Sequence, residues 1–188
     1  MHADPIHQNL ELSITAMLSE FFQKQVPSEK LSINAIPKKD LAFSEHMVIM
    51  LLSNAQIRMF LKIHFHIDQA KRLAAVRQHK KWDDVPDKVA IDFMKELCNV
   101  LGGRLKRKIA HLQLELGQSI PLDLEGFCEI FFEDVNWSSQ TLVFRVSNPQ
   151  LQVMVSAQYE ITGQEARQKL TTLSEADKGE EEDDIEFL

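Results

Sequence analysis

The sequence holds only two cysteines among its 188 residues, Cys98 and Cys128, and both sit inside apolar patterns. That excludes a disulfide scaffold and predicts two reduced thiols in a cytoplasmic protein. No basic surplus is present: 28 acidic side chains outweigh 21 Lys and Arg, for a formal net charge of −7. A general nucleic-acid binder carries the opposite sign, so nucleic acid is not an expected partner. No run reaches the roughly 18 apolar residues that a membrane span needs. The opening "MHADPIHQNLELSITAML" also lacks the basic start and continuous apolar stretch of a secretion signal, so no membrane is expected to take part.

What is present is the balance of an ordinary globular domain, 44% hydrophobic and 26% charged, long enough to bury a core. The acidity is concentrated at the end. The run "EADKGEEEDDIEFL" has eight carboxylate side chains against one Lys, a sum of −7 that equals the whole chain's, so residues 1–174 are neutral overall. Pro5 followed by Ile6, Leu10, Ile14, Met17, Leu18, Phe21 and Phe22 at three- and four-residue spacing predicts a helix over 5–25. "LSINAIP" reads as a short strand, and "HMVIMLLS" and "IRMFLKIHFHI" as a hairpin around "NAQ". "DQAKRLAAVRQH" fits a short helix capped by Asp68. Asp83, Asp84 and Pro86 form the start signal of a long helix from 86 to about 112. After the connection "GQSIPLDLEG" come the strands "FCEIFFED", "TLVFRVS" and "LQVMVSAQYEI", with a short helix expected in 162–173. Strand groups separated by helices predict an α+β domain over 1–161, an antiparallel sheet with helices packed on one side. Residues 162–188 add the short helix and an acidic tail too polar to order by itself.

The long helix carries the chemistry. In "DFMKELCNVLGGRLKRKIAH", about 100° per residue puts Asp92, Glu96, Asn99, Gly103, Lys106 and Arg107 in one sector roughly 120° wide. Ala90, Phe93, Met94, Leu97, Leu101, Leu105 and Leu112 fall opposite, with Cys98 on the flank of that packing face. An exposed polar row is by itself the ordinary solvated side of a helix. Two adjacent glycines, each costing about 1 kcal/mol relative to alanine, call for a use. Gly103, one turn beyond Asn99, leaves the ridge bare for a second surface to approach.

Asp92, three residues, Glu96, two residues, Asn99, the glycines after them and Pro121 downstream together resemble the signature of the CheC/CheX/FliY family of response-regulator phosphatases. The gap from Asn99 to Pro121 is one residue shorter than the family's pattern. The layout of first helix, strands, motif helix and strands is similar over roughly residues 5–161, and a single motif helix is closest to CheX. The resemblance implies hydrolysis of the aspartyl phosphate of a CheY-type receiver in two-component chemotaxis signalling. Asn99 would hold the attacking water, Glu96 would meet the receiver's lysine, and Asp92 and Gly103 would support them. It implies no cofactor of the chain's own, since the receiver carries Mg²⁺, and a homodimer joined through its sheets. "TLVFRVS" and "LQVMVSAQYEI" are long and apolar enough to offer the edge for it. The alternative implied by the same resemblance is a catalytically inactive module that binds a receiver or a flagellar switch component.

Other features have two readings each. Arg104, Lys106, Arg107 and Lys108 suit the negative end of a helix dipole and equally suit the acidic mouth of a receiver, with Lys106 and Arg107 in the motif's own sector. His64 and His66 flank Phe65 and are expected on one strand face, but no third ligand stands nearby, so no metal site is assigned. The tail ends in Ile185, Phe187 and Leu188 after its acids. It is either a plain charged end, even the recognition element of an otherwise structural scaffold, or a short peptide that anchors the regulator in a groove.

Overall fold

The computed structural model of the chain describes residues 4–126 and 139–173. The strand expected in "FCEIFFED", with Cys128, and the tail residues Ile185, Phe187 and Leu188 lie outside the described residues.

Helix α1 spans Pro5–Gln25 as its periodicity requires. Asp4 caps it, its carboxylate accepting the backbone N–H of Ile6 at 3.0 Å, and Pro5 gives up an N–H that no helical carbonyl would have met. The apolar stripe from Ile6 to Phe22 is buried throughout. Strand β1 (Ser32–Ile36) follows, then the hairpin β2 (His46–Ser53) and β3 (Ile57–Phe65). Its turn is closed by Asn54, whose Oδ1 accepts the backbone N–H groups of Gln56 and Ile57, each at 2.8 Å.

Helix α2 occupies Ile67–Gln78, and its N-cap is His66, not Asp68. The carbonyl of His66 accepts the first helical N–H groups, those of Gln69 and Ala70, and Gln69 Oε1 receives the N–H of His66. Asp68 therefore lies inside the first turn. This also removes the expected histidine pair: His66 has left the strand, while His64 stays in β3 and is buried. Burial, reinforced by the charge of Lys62, holds His64 down at about 4.

Helix α3 runs Asp87–Ala110 with Pro86 as its cap. Its buried face contains Ala90, Phe93, Met94, Leu97, Leu101 and Leu105, with Val100 and Ile109 beyond those expected. Cys98 is fully buried, and desolvation pushes its thiol up to about 12, which makes it a packing residue rather than a nucleophile. Leu112, expected on the face, is only half-buried.

The expected connection "GQSIPLDLEG" instead holds two short strands, β4 (Gly117–Gln118) and β5 (Leu122–Glu125). Strands β6 (Gln140–Asn148) and β7 (Leu151–Ile161) and helix α4 (Gln164–Leu170) complete the described fold.

All strands join one antiparallel sheet in the order β1-β6-β7-β3-β2-β4, with β5 also pairing β2. The register aligns Met50, Leu61, Ala157 and Leu142 in one row across four strands, and Val48, Ile63, Val155 and Phe144 in the next. Those rows and the buried faces of all four helices form one core, so the helices pack on one side, as expected. Ala166, Leu170 and Leu173 belong to the same core. The other face of the sheet carries buried polar groups, among them Lys62, whose Nζ donates to Gln158 Oε1 at 3.1 Å. One expectation fails in this topology. Neither "TLVFRVS" nor "LQVMVSAQYEI" is an edge, because β6 lies between β1 and β7, and β7 between β6 and β3.

Candidate functional site

Helix α3 is held by both of its neighbours. Arg104 reaches Glu20 of α1 at 3.3 Å, and Lys71 of α2 meets Asp87 at 2.6 Å. The hydrogen bond and charge of Lys71 hold the Asp87 carboxyl below its ordinary value. So fixed, the helix turns Asp92, Glu96 and Asn99 outward, Asp92 exposed and the other two half-buried.

These three residues line one side of an open cavity of about 410 Å³. Lys95 joins them, and the facing wall is the turn from β4 to β5: Gln118, Ser119, Ile120 and Pro121. The residues that the motif brought together in sequence, Pro121 included, therefore meet in space despite the shortened spacing. Lys106 and Arg107 continue along the same helix but lie outside the cavity lining, and the cation at its wall is Lys95.

The wall is rigidly tied. Gln118 pairs with Leu52 in the sheet. The next residue, Ser119, donates its backbone N–H to the Leu51 carbonyl at 2.9 Å and accepts the Leu51 N–H on its hydroxyl at 3.0 Å. Two side-chain links then cross to α3. Lys95 Nζ meets Asp123 at 3.0 Å, and Gln118 Nε2 donates to Asn99 Oδ1 at 2.9 Å. Gln118, Lys95 and Asp123 were not singled out from sequence. Lys95 stood within the motif itself, while the only signal for Gln118 and Asp123 was their proximity to the proline, and the pairing of that stretch with β2 is a tertiary fact.

The glycines separate into two roles. A Cβ on Gly102 would meet Met50 Sδ at 2.5 Å and lie 3.7 Å from Gln118 Nε2, so Gly102 lets the helix settle onto β2 beside the cavity wall. A Cβ on Gly103 would meet nothing nearer than an Arg107 guanidinium nitrogen at 3.8 Å. The ridge beyond Asn99 is bare, as its sequence position suggested.

Glu96 is close enough to Arg77, on α2, for its charge to act on that guanidinium, whose pKa burial lowers and Glu96 raises. A carboxylate and a carboxamide one turn apart, on a held helix and beside an open groove, can bind a cation and orient a water simultaneously. At the rim, Ile120 is 76% exposed, an apolar side chain offered to solvent.

No family profile matches the sequence, and no curated protein does. Solved structures match the fold. A chemotactic CheC-like protein from Shewanella oneidensis MR-1 is 14% identical with a TM-score of 0.68, the match covering 82% of this chain and 99% of that one. The chemotaxis protein CheX from Vibrio vulnificus is 14% identical with a TM-score of 0.63, covering 79% and 94%. A third match is the CheX–CheY–BeF3–Mg²⁺ complex from Borrelia burgdorferi, at 16% identity and a TM-score of 0.56, covering 86% and 100%. The chain has the CheC/CheX fold. No helix among the described residues is long and apolar enough to cross a membrane.

Proposed function

We propose that this chain is a CheX-like phosphatase that hydrolyses the aspartyl phosphate of a CheY-type response regulator. The observation that carries the reading is the assembly of Asp92, Glu96, Asn99 and Pro121 around one open groove. CheX in the Borrelia burgdorferi structure is bound to CheY, which supports a receiver as the partner here.

The chemistry asks little of the phosphatase. The receiver brings Mg²⁺ and a lysine, and the acyl phosphate is already a reactive mixed anhydride. What is needed is a water held in line with the scissile P–O bond. The water's oxygen bonds to phosphorus, the aspartate carboxylate leaves, and inorganic phosphate is released. Asn99 holds that water and Glu96 engages the receiver's lysine, fixing the docking, with Asp92 and Gly103 in support. Positioning of this kind converts a chance encounter with solvent into an oriented one and supplies much of the rate. Lys106 and Arg107, outside the cavity, act on encounter, where cations speed the approach of an acidic receiver mouth. Two copies pair through β1, which ends the sheet on one side among the described residues. Sedimentation as a monomer at micromolar concentration would count against that pairing.

Phosphate release from a receiver charged with acetyl phosphate tests the reading. The parent protein accelerates release and Asn99→Ala abolishes the acceleration while melting like the parent. A parental rate in the variant overturns the assignment. Binding to a beryllofluoride-loaded receiver without any release from the phosphorylated one would instead mark a module that docks and does not hydrolyse.

A further inference from the structure

We infer that Gln118 is the positioning residue for the Asn99 carboxamide, an inference that rests on the phosphatase reading and deepens it. A free asparagine amide on a helix surface turns about its last bond and presents its oxygen and its nitrogen to solvent in alternation. Here one face is taken. Gln118 Nε2 donates to Asn99 Oδ1 at 2.9 Å, while Asn99 Nδ2 has no hydrogen-bond partner among the described residues. The amide is thereby fixed with its oxygen toward β4 and its two N–H groups uncommitted. One lone pair of Oδ1 also remains.

The donor of this bond is well placed to impose an orientation. Gln118 is held by sheet pairing to Leu52, and its neighbour Ser119 is bound to Leu51 through both backbone and side chain. Met50 on the same strand packs against the bare Cα of Gly102, so helix and strand keep a fixed separation under the bond. A group that must place a water within a few tenths of an ångström gains from such a support, because a displacement of about 1 Å costs roughly a hundredfold in rate. Gln118 also lines the groove, with one N–H of its amide committed to Asn99. An effect passing through the catalytic amide lowers kcat, whereas a direct contact with the partner would raise KM.

Steady-state release of phosphate from the phosphorylated receiver, with binding of the beryllofluoride-loaded receiver measured alongside, separates the possibilities. Gln118→Met keeps the length and removes the donor. It is expected to lower kcat by roughly tenfold or more with KM and binding within about twofold of the parent. Gln118→Glu, which only accepts when ionised, forces the Asn99 amide to turn over and lowers kcat similarly. As pH falls and the introduced carboxyl takes a proton, it becomes a donor again and the rate relative to parent recovers. A merely structural role would produce no such pH-dependent rescue.

A parental kcat in Gln118→Met, with Asn99→Ala inactive, overturns the inference and leaves the phosphatase reading standing. A loss confined to KM overturns it as well, since Gln118 would then be a docking residue. Where the parent itself releases no phosphate, the reading fails, and side-chain amide relaxation of Asn99 decides the positioning alone. A restrained amide that becomes mobile in Gln118→Met upholds it, and an unchanged one overturns it.

Discussion

Exchanging Gly102 and Gly103 for Ala, one at a time, tests how α3 is seated. The intrinsic helix term is the same for both, a gain of up to about 1 kcal/mol from replacing glycine within a helix. What differs is the space. At Gly103 the new methyl group meets only a guanidinium nitrogen at 3.8 Å, so the helix gain is realised and the variant is stabilised by up to about 1 kcal/mol. At Gly102 it would meet Met50 Sδ at 2.5 Å and Cε at 3.3 Å. Met50 is buried in the core, so its thioether end has to repack against its core neighbours to make room. Overpacking of this kind costs about 1–3 kcal/mol, which exceeds the helix gain over most of that range. The two variants should therefore differ by about 2 kcal/mol, or about 4–8 °C in Tm for a chain of this size. Thermal and urea melts measure it directly. Combining Gly102→Ala with Met50→Val removes the sulfur from the clash and should turn the alanine from destabilising to stabilising. Equal Tm shifts for the two single variants, or a Gly102→Ala effect indifferent to Met50→Val, would refute the reasoning. Gly103→Ala, though stable, is expected to raise KM for the phosphorylated receiver, because its methyl group stands on the ridge beside Asn99.

A second expectation concerns acid. Burial takes His64 from 6.5 to about 4, so the folded chain binds fewer protons than the unfolded chain between those values. Its stability contribution is complete above about pH 6.5 and is lost as pH falls toward 4, reaching about 3 kcal/mol. Urea melts at pH 7 and pH 4.5 should show His64→Gln losing less stability than the parent over that interval, and equal losses would sink the idea. For the tail, deletion of residues 180–188 tests the anchor proposed for Ile185, Phe187 and Leu188. A tethered peptide raises the local concentration of regulator to roughly millimolar, so the deletion should raise KM and leave saturated turnover unchanged. Equal affinity with and without the tail would leave it a charged end.

The local chemistry of the chain was legible because it is periodic. The stripe from Ile6 to Phe22 could bury only one side of a helix, and the same spacing placed Asp92, Glu96 and Asn99 opposite Leu97 and Leu101. Pro5 marked a helix start, and "NAQ" a hairpin turn, through local chemistry that spans no more than three residues. At His66 the same logic failed, because alternation in "KIHFHID" is shared by a strand's last residue and a helix's cap until the helix itself is packed. The two-residue strand β4 gave no periodic signal at all, having no length over which to repeat. Its existence depends on Leu51 and Leu52, more than sixty residues earlier, offering their backbone groups. Separation in sequence likewise hid Gln118 as the partner of Asn99 and Met50 as the reason for Gly102. Sequence alone determined which side chains face outward on the motif helix. Only the tertiary structure decided what stands across from them, because a hydrogen bond or a close contact between distant segments leaves no period in the chain that makes it.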